Sequence, residues 1–487
     1  MLPIHSQLTS MKYLRFLALL PLAALSIGSA FAENNMPPPG YTALFDGKTL
    51  DGWYGWSTQD PNDLWKLSPE EQAEYKKKSI EGGLTDKKGN PSNEHINAHW
   101  RVENGELVND GKGLYMTTNK DYGDFELLIE YKALPEGDSG VYLRGVPQVQ
   151  IWDSTQGDPR GLGQDKGSGG LWNNSKGAPG KDPSKKMDKP FGEWNTMKIR
   201  MIGERVTVIF NGENVVDNCV LENYFANKKA GYLAWGKQPT PKPGEKLPNG
   251  YMRDPVFPKG PIQLQTHGSE IRWRNIYIHE ITPEEADQEL RARSGNDGFV
   301  ELVNGKDLSN WQNAVDGYEV KDGAIVCGPK GGDLLSMEEY EDCIIKVEFK
   351  LPHAGNNGIG IRTPLGGHPS RDGFEIQVLD SDGYNEDHKD HPLLPYQYHG
   401  SLYFCVGAKH GYLRPVGTWN YEEIEVRGQK IKVTLNGTKI LDVDCDTFDR
   451  SQIEHPPKGL DHRKGYIGFC GHHDPVEFRS FKVKRLD

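Results

Sequence analysis

Asp372-Gly373-Phe374-Glu375-Ile376-Gln377-Val378-Leu379-Asp380 alternates apolar and polar side chains, the pattern of a β-strand with one buried and one wet face. Phe374, Ile376 and Val378 point one way. Glu375 and Gln377 point the other. A carboxylate in mid-strand either sits on a solvated face or is held there by partners, because unpaired burial is costly. Similar runs, rich in Val, Ile, Tyr and Trp and punctuated by Gly, Asn and Asp, recur throughout the 487 residues. The chain therefore reads as mostly β.

Outward from this strand the sequence repeats itself. ALFDGKTLDGW, from Ala43 to Trp53, returns as ELVNGKDLSNW, from Glu301 to Trp311. The correspondence continues in order. WRVENGELV from Trp100 matches YEVKDGAIV from Tyr318, SGVYLR ending at Arg144 matches GIGIR ending at Arg362, and PQVQIWD ending at Asp153 matches FEIQVLD ending at Asp380. GEWN at Gly192 matches GTWN at Gly417. An ordered series of this kind marks a tandem duplication of one domain. Asn211-Gly212 and Asn436-Gly437 separate strand-like runs in the two repeats, the hairpin signal of a type I′ turn. Two antiparallel sandwiches are expected, over residues 41–281 and 298–487.

Ser68-Pro69-Glu70-Glu71 and Thr282-Pro283-Glu284-Glu285 are capping boxes with Pro at the first helical position. The first predicts a charged surface helix to about Lys78, and the second a linker helix to about Arg293 within 282–297. Lys176 to Lys189, rich in Gly, Pro and Lys, is expected to be a mobile loop.

The first 32 residues read as an export signal. Lys12 and Arg15 precede the apolar run Phe16 to Ile27, and Ala30-Phe31-Ala32 offers small residues for cleavage. The expected location is periplasmic or secreted, with no membrane span, since the apolar run is too short. A net charge of −12 without a basic tract disfavours nucleic acid and anionic membranes as partners. The six cysteines form no CxxC pair, and most are expected to be buried thiols.

Strand parity gathers the candidate site. Arg362, Glu375, Gln377 and His472 are expected on one face of the second repeat, and Arg144, Gln148, Gln150 and His267 on the matching face of the first. Glu375 corresponds to Gln148, which cannot act as a base, so the second repeat is the better candidate for catalysis and the first for binding or shaping the site. Arg362 can instead pair with Glu375 across strands, and His472 can be structural. Ordinary glycosidases use two flanking carboxyls. Here Gln377 takes the alternate position and Asp380 has opposite parity, which disfavours a glucanase-like hydrolase. A lectin with two binding faces is the alternative from another class. Asp387-His388-Lys389-Asp390-His391, with His399 nearby, leaves a divalent metal open as a cofactor.

In both halves the chain resembles the 3-keto-disaccharide hydrolase family. The motifs are LFDGKTLDGW, YGDFELLIEY, DSGVYLR, GEWNTMKIR, VIFNGENVVD and GPIQLQTHGSEIRWRNI, then ELVNGKDLSNW, NNGIGIR, GFEIQVLD and GTWNYEEIEVRG. The resemblance implies a concanavalin A-like jelly roll acting on 3-keto-glycosides outside the cytoplasm. Each repeat departs from the pattern once, the first at Pro147-Gln148 and the second at Cys470 to Asp474. The implied chemistry suits one carboxylate. A ketone at sugar C3 acidifies the C2 proton, Glu375 takes it, the C1 group leaves by β-elimination, and water adds back. Arg362 and His472 are then candidates to stabilise the enolate oxygen. Gln377, Asp380 and a stacking ring, Tyr403 or Trp419, are candidates to bind the sugar. A sugar 3-dehydrogenase is the implied partner in the same pathway.

Overall fold

The computed structural model describes residues 35–86, 88–229 and 255–486, so the export signal expected over residues 1–32 lies outside them. Each repeat is a sandwich of a five-stranded and an eight-stranded antiparallel sheet. In the first repeat the five-stranded sheet contains β1 (Trp53–Trp56), β2 (Tyr115–Thr118), β3 (Asp138–Leu143), β4 (Val146–Trp152) and β5 (Gln263–Leu264), in the order β1-β2-β5-β3-β4. In the second it contains β6 (Trp311–Asn313), β7 (Gly332–Tyr340), β8 (Asn356–Thr363), β9 (Phe374–Leu379) and β10 (Gly465–Gly471), in the equivalent order β6-β7-β10-β8-β9. The chain is thus two tandem jelly rolls.

The sequence dictates this locally. Strand Asn195–Ile202 alternates buried and half-buried residues along its whole length, as a two-faced strand must. At Asn211-Gly212 and Asn436-Gly437 both turn residues have positive φ, 48° and 88° in one and 50° and 87° in the other. Asn and Gly tolerate that region best, so these pairs close the hairpins. Each sandwich buries its own apolar core, built around Trp53, Phe125 and Trp273 in the first and Trp311, Phe349 and Phe469 in the second.

Both capping boxes form. Ser68 caps α1 (Pro69–Glu81), whose surface is mostly exposed while Tyr75 and Ile80 pack against a small cluster of Tyr54, Trp56 and Leu64. Thr282 caps α2 (Pro283–Arg293), which lies between the sandwiches and grips both. Glu289 on α2 accepts from Arg200 Nε of the first repeat at 2.7 Å. Asp287 accepts from Arg479 of the second at 2.7 and 3.1 Å and from the Tyr421 hydroxyl. Residues 176–189 are irregular but tied down: Leu171 N donates to Gly180 O at 2.8 Å and Ser184 N to Val215 O at 2.9 Å.

Cys327, Cys343, Cys445 and Cys470 are buried and Cys219 and Cys405 half-buried, all six as free thiols. Among the described residues no helix is long and apolar enough to cross a membrane.

Removing the Asp287 carboxylate takes two hydrogen bonds from the half-buried Arg479 guanidinium, leaving Glu348 as its carboxylate partner, and one from the Tyr421 hydroxyl. Asp287→Ala is expected to lower stability by about 1–3 kcal/mol, read as a shifted urea midpoint. An unchanged midpoint would mean that α2 is not a structural clamp.

Candidate functional site

A cavity of about 290 Å³ opens on the face of β8 and β9 that points away from the second core. Glu375, Gln377, Tyr403 and His472 line it, as parity and position in the sequence suggested. Glu375 and Gln377 are 3% and 4% exposed. His472 Nε2 stands 3.9 Å from Glu375 Oε1, an ion-pair contact rather than a closed hydrogen bond. The interaction with Glu375 raises the imidazole's pKa despite burial.

Backbone space fixes the carboxylate. Gly358 pairs with Gln377 and Gly360 with Glu375 across β8 and β9. A Cβ on Gly358 would stand 2.1 Å from Glu375 Oε1, so the carboxylate occupies the room that the glycine leaves. The chain after β9 returns beside it: Gln377 N donates to Ser401 O, Gly400 N to Gln377 O and Tyr403 N to Glu375 O, at 2.7–3.0 Å. This return places the Tyr403 ring at the cavity, with Phe404 centred 4.5 Å from it. Two buried acceptors in the lining, Gln377 Oε1 and Asn356 Oδ1, have no hydrogen-bond partner among the described residues.

Other expected site residues lie elsewhere. Arg362 does not face the cavity. A register shift in the β8–β10 pairing between Gly360 and Thr363, with Arg362 at φ 53°, breaks the two-residue alternation. Its guanidinium donates instead to Gln429 Oε1 at 2.7 Å, to His462 O at 3.2 Å and to Gly428 O. The expected ion pair between Arg362 and Glu375 is therefore absent too. Arg144 repeats this, with φ 53°, a shift between Val141 and Leu143, and an ion pair to Asp124 at 2.8 Å. Asp380 caps the helix Ser381–Asp387, accepting from Gly383 N and from Ala354 N. Trp419 belongs to the eight-stranded sheet, with the Arg479 guanidinium 4.3 Å over its ring. In the histidine-rich loop His388 stacks on Tyr384 and Asp387 meets His353 at 3.2 Å. Among the described residues no three His, Cys, Asp or Glu side chains converge as a metal site.

Parity missed several lining residues. Asn356 begins β8, and His368, Ser370 and Arg371 come from the loop 364–373 between β8 and β9. Asp333, on β7 opposite Cys470, lies close behind them. Burial raises its carboxyl's pKa. His368, His472 and Arg371 pull it down, and Glu375 pushes it further up.

The first repeat has the same sheet with bulkier side chains at the matching positions. Gly140 pairs with Gln150 as Gly358 does with Gln377. Leu264 lies between Met116 and Val141 as Phe469 does between Leu334 and Ile359. This register sets Tyr115 at the place of Asp333, Tyr142 at Gly360, Gln263 at Gly468 and His267 at His472. Tyr142 and Tyr115 both hydrogen-bond Thr58, at 2.9 and 3.0 Å. Gln148 donates to Gln150, which donates to Asp138 Oδ1 at 2.8 Å. His267 meets the other Asp138 oxygen at 3.0 Å, and that hydrogen bond raises the imidazole's pKa.

The model of the 3-keto-alpha-glucoside-1,2-lyase-like domain matches residues 40–279 and 298–484. The chain belongs to this family. A relative from Bacteroides thetaiotaomicron, named 3-keto-disaccharide hydrolase, is 24% identical over 234 residues, 39% of this chain and 79% of its own. A solved structure of a candidate glycosyl hydrolase from Parabacteroides distasonis is 25% identical, covering 41% of this chain and 97% of that one, with a TM-score of 0.36. A carbohydrate-binding module from Bacillus subtilis is 14% identical over 38% of this chain and 95% of its own, with a TM-score of 0.22.

Gly358→Ala is expected to push the Glu375 carboxylate aside while the fold holds. Misplacing a reacting group by about 1 Å can cost about 10²-fold in rate, to be measured beside an unchanged melting curve; full activity would mean that the carboxylate's position is not critical. Asp333→Asn tests the half-buried acid. Asp333 binds its proton more tightly folded than unfolded, so its charge destabilises the fold above the folded pKa and costs nothing below about pH 4. The variant should therefore melt higher than the parent near neutral pH, with the gain fading on acidification. A lower melting point at neutral pH would contradict this.

Proposed function

We propose that this protein is an exported carbohydrate-active enzyme that cleaves 3-keto-glycosides in the cavity of its second repeat. The observation that carries the reading is the pairing of Glu375 with two orphaned acceptors, Gln377 Oε1 and Asn356 Oδ1, in one cavity. A buried acceptor calls for a donor, and a sugar brings a ring of hydroxyls. Family membership and the name of the Bacteroides relative support the same substrate class.

The chemistry follows from one base. Glu375 removes the C2 proton, and the electron pair of that C–H bond becomes a C2–C3 double bond while the ketone oxygen takes the negative charge. As the ketone reforms, the C2–C3 π electrons become a C1–C2 double bond, the C1–O bond breaks, and the leaving oxygen takes a proton, for which His472 is the nearest imidazole to the base. Water then adds across C1 and C2, giving net hydrolysis. Tyr403 offers a ring to the sugar face. The substrate must already be oxidised at C3, so a sugar 3-dehydrogenase upstream belongs to this proposal. The charged and apolar segments between Lys12 and Ile27 support export.

Asp333 favours a second reading. A half-buried acid of raised pKa on the same sheet, near enough for the charge of Glu375 to be felt, is the kind of pair an ordinary glycosidase uses. One experiment separates the readings. Initial rates are compared on matched 3-keto-glucosides and ordinary glucosides, for the parent and for Glu375→Gln. The expected result is turnover of the keto-sugars alone, falling about 10²- to 10⁴-fold in the variant. Equal turnover of ordinary glucosides would favour the glycosidase. Binding without turnover would favour a lectin.

A further inference from the structure

The two repeats differ most at the hairpin beside the site. In the first, β3 and β4 are joined by the tight turn Arg144-Gly145, both at positive φ. In the second, residues 364–373 intervene between β8 and β9 and include a single helical turn, Pro369–Asp372. This insertion is built in at several points. Pro369 lies over Gly360, where a Cβ would come within 2.9 Å of its ring. Gly459 N donates to Gly373 O at 3.2 Å, and a Cβ on Gly459 would stand 2.5 Å from that oxygen. Asp372 accepts from His368 N at 3.0 Å and from Lys458 at 2.7 Å.

The insertion brings His368 and Arg371 to the cavity. Ser370 N donates to His368 Nδ1 at 3.3 Å. A backbone N–H can only donate, so Nδ1 is the acceptor and the neutral ring carries its proton on Nε2. Arg371 is exposed and forms no ion pair among the described residues, and its charge is felt at Asp333 behind the cavity. The site therefore holds a guanidinium and an imidazole N–H, while Arg362 is held elsewhere by Gln429 and Gly428.

We infer that Arg371 and His368 Nε2–H form the oxyanion site of the reaction proposed above, donating to the C3 oxygen as it becomes an enolate. The inference rests on that reaction. Donors placed where charge develops are among the strongest catalytic devices, and a guanidinium and an imidazole both line this cavity. The first repeat lacks the insertion and carries Gln148 in place of Glu375, so it lacks both the base and the donors.

The test uses the full chain and a 3-keto sugar whose C1 bears no leaving group, so that only enolisation can occur. Exchange of its C2 hydrogen for deuterium is followed by NMR in heavy water. Losing one such donor costs about 10²- to 10³-fold. Arg371→Ala and His368→Gln are each expected to slow exchange by that factor, with a smaller change in sugar affinity. Added guanidinium should partly restore Arg371→Ala. Because Arg371 is exposed, its variant is expected to fold, which a melting curve checks. Exchange at the parent's rate in Arg371→Ala would overturn the oxyanion assignment and leave Glu375 as the base. A parent that exchanges no deuterium would overturn the reaction itself.

Discussion

The site depends on a steric constraint: Glu375 is held where a side chain on Gly358 would otherwise be. The β8–β9 pairing sets that register, and the return of residues 400–403 along β9 locks its outer edge. The carboxylate is thus positioned by backbone hydrogen bonds and by an absent Cβ, both of which are present before any ligand arrives. His472, just past the end of β10, and Asp333, on β7, come from the same five-stranded sheet, two and three strands along from β9, so the sheet order sets how they face Glu375.

The first repeat shows the same sheet carrying larger side chains. Gln148 lies over Gly140 as Glu375 lies over Gly358, with a Cβ there only 2.7 Å from Gln148 Oε1. Tyr142 and Gln263 stand where the second repeat has glycines, and Tyr115 stands where it has Asp333. The carboxylate is instead Asp138, at the strand end, where it holds His267 and Gln150. A few substitutions toward volume, with the carboxylate moved from mid-strand to the strand end, distinguish this face from that of the second repeat. A matched difference lies behind the sheet. His399 and Glu422, buried and 2.9 Å apart, occupy the places of Ser168 and Met197.

Much of this was legible in the sequence because it depends on periodicity and capping. Alternation placed Glu375 and Gln377 on the cavity face, the ordered repeats gave two sandwiches, and Ser68 and Thr282 marked two helix starts. Parity failed at Arg362 and Arg144 because each sits at a bulge with positive φ, and alternation has no term for an extra residue. Asp380 was misread because a strand-end aspartate serves equally well as a helix cap. His368 and Arg371 were missed because an irregular insertion has no period. The signal that could have found them was the length difference between Arg144-Gly145 and residues 363–373 when the repeats are aligned.

The free thiols bear on how such a chain would fare in an oxidising compartment. Burial pushes Cys343, Cys405 and Cys445 up to about 12. The thiolate is the form that reacts with oxidants and attacks disulfides, so burial in the closed sandwiches disfavours the reactive form. Burial thus protects the six free thiols of the folded chain without a crosslink. Its vulnerable form is the nascent chain, whose six cysteines titrate normally and can mispair. Yield in an oxidising compartment is then a race between core closure and thiol oxidation, and the second repeat, with five of the six cysteines, has the more to lose from slow folding.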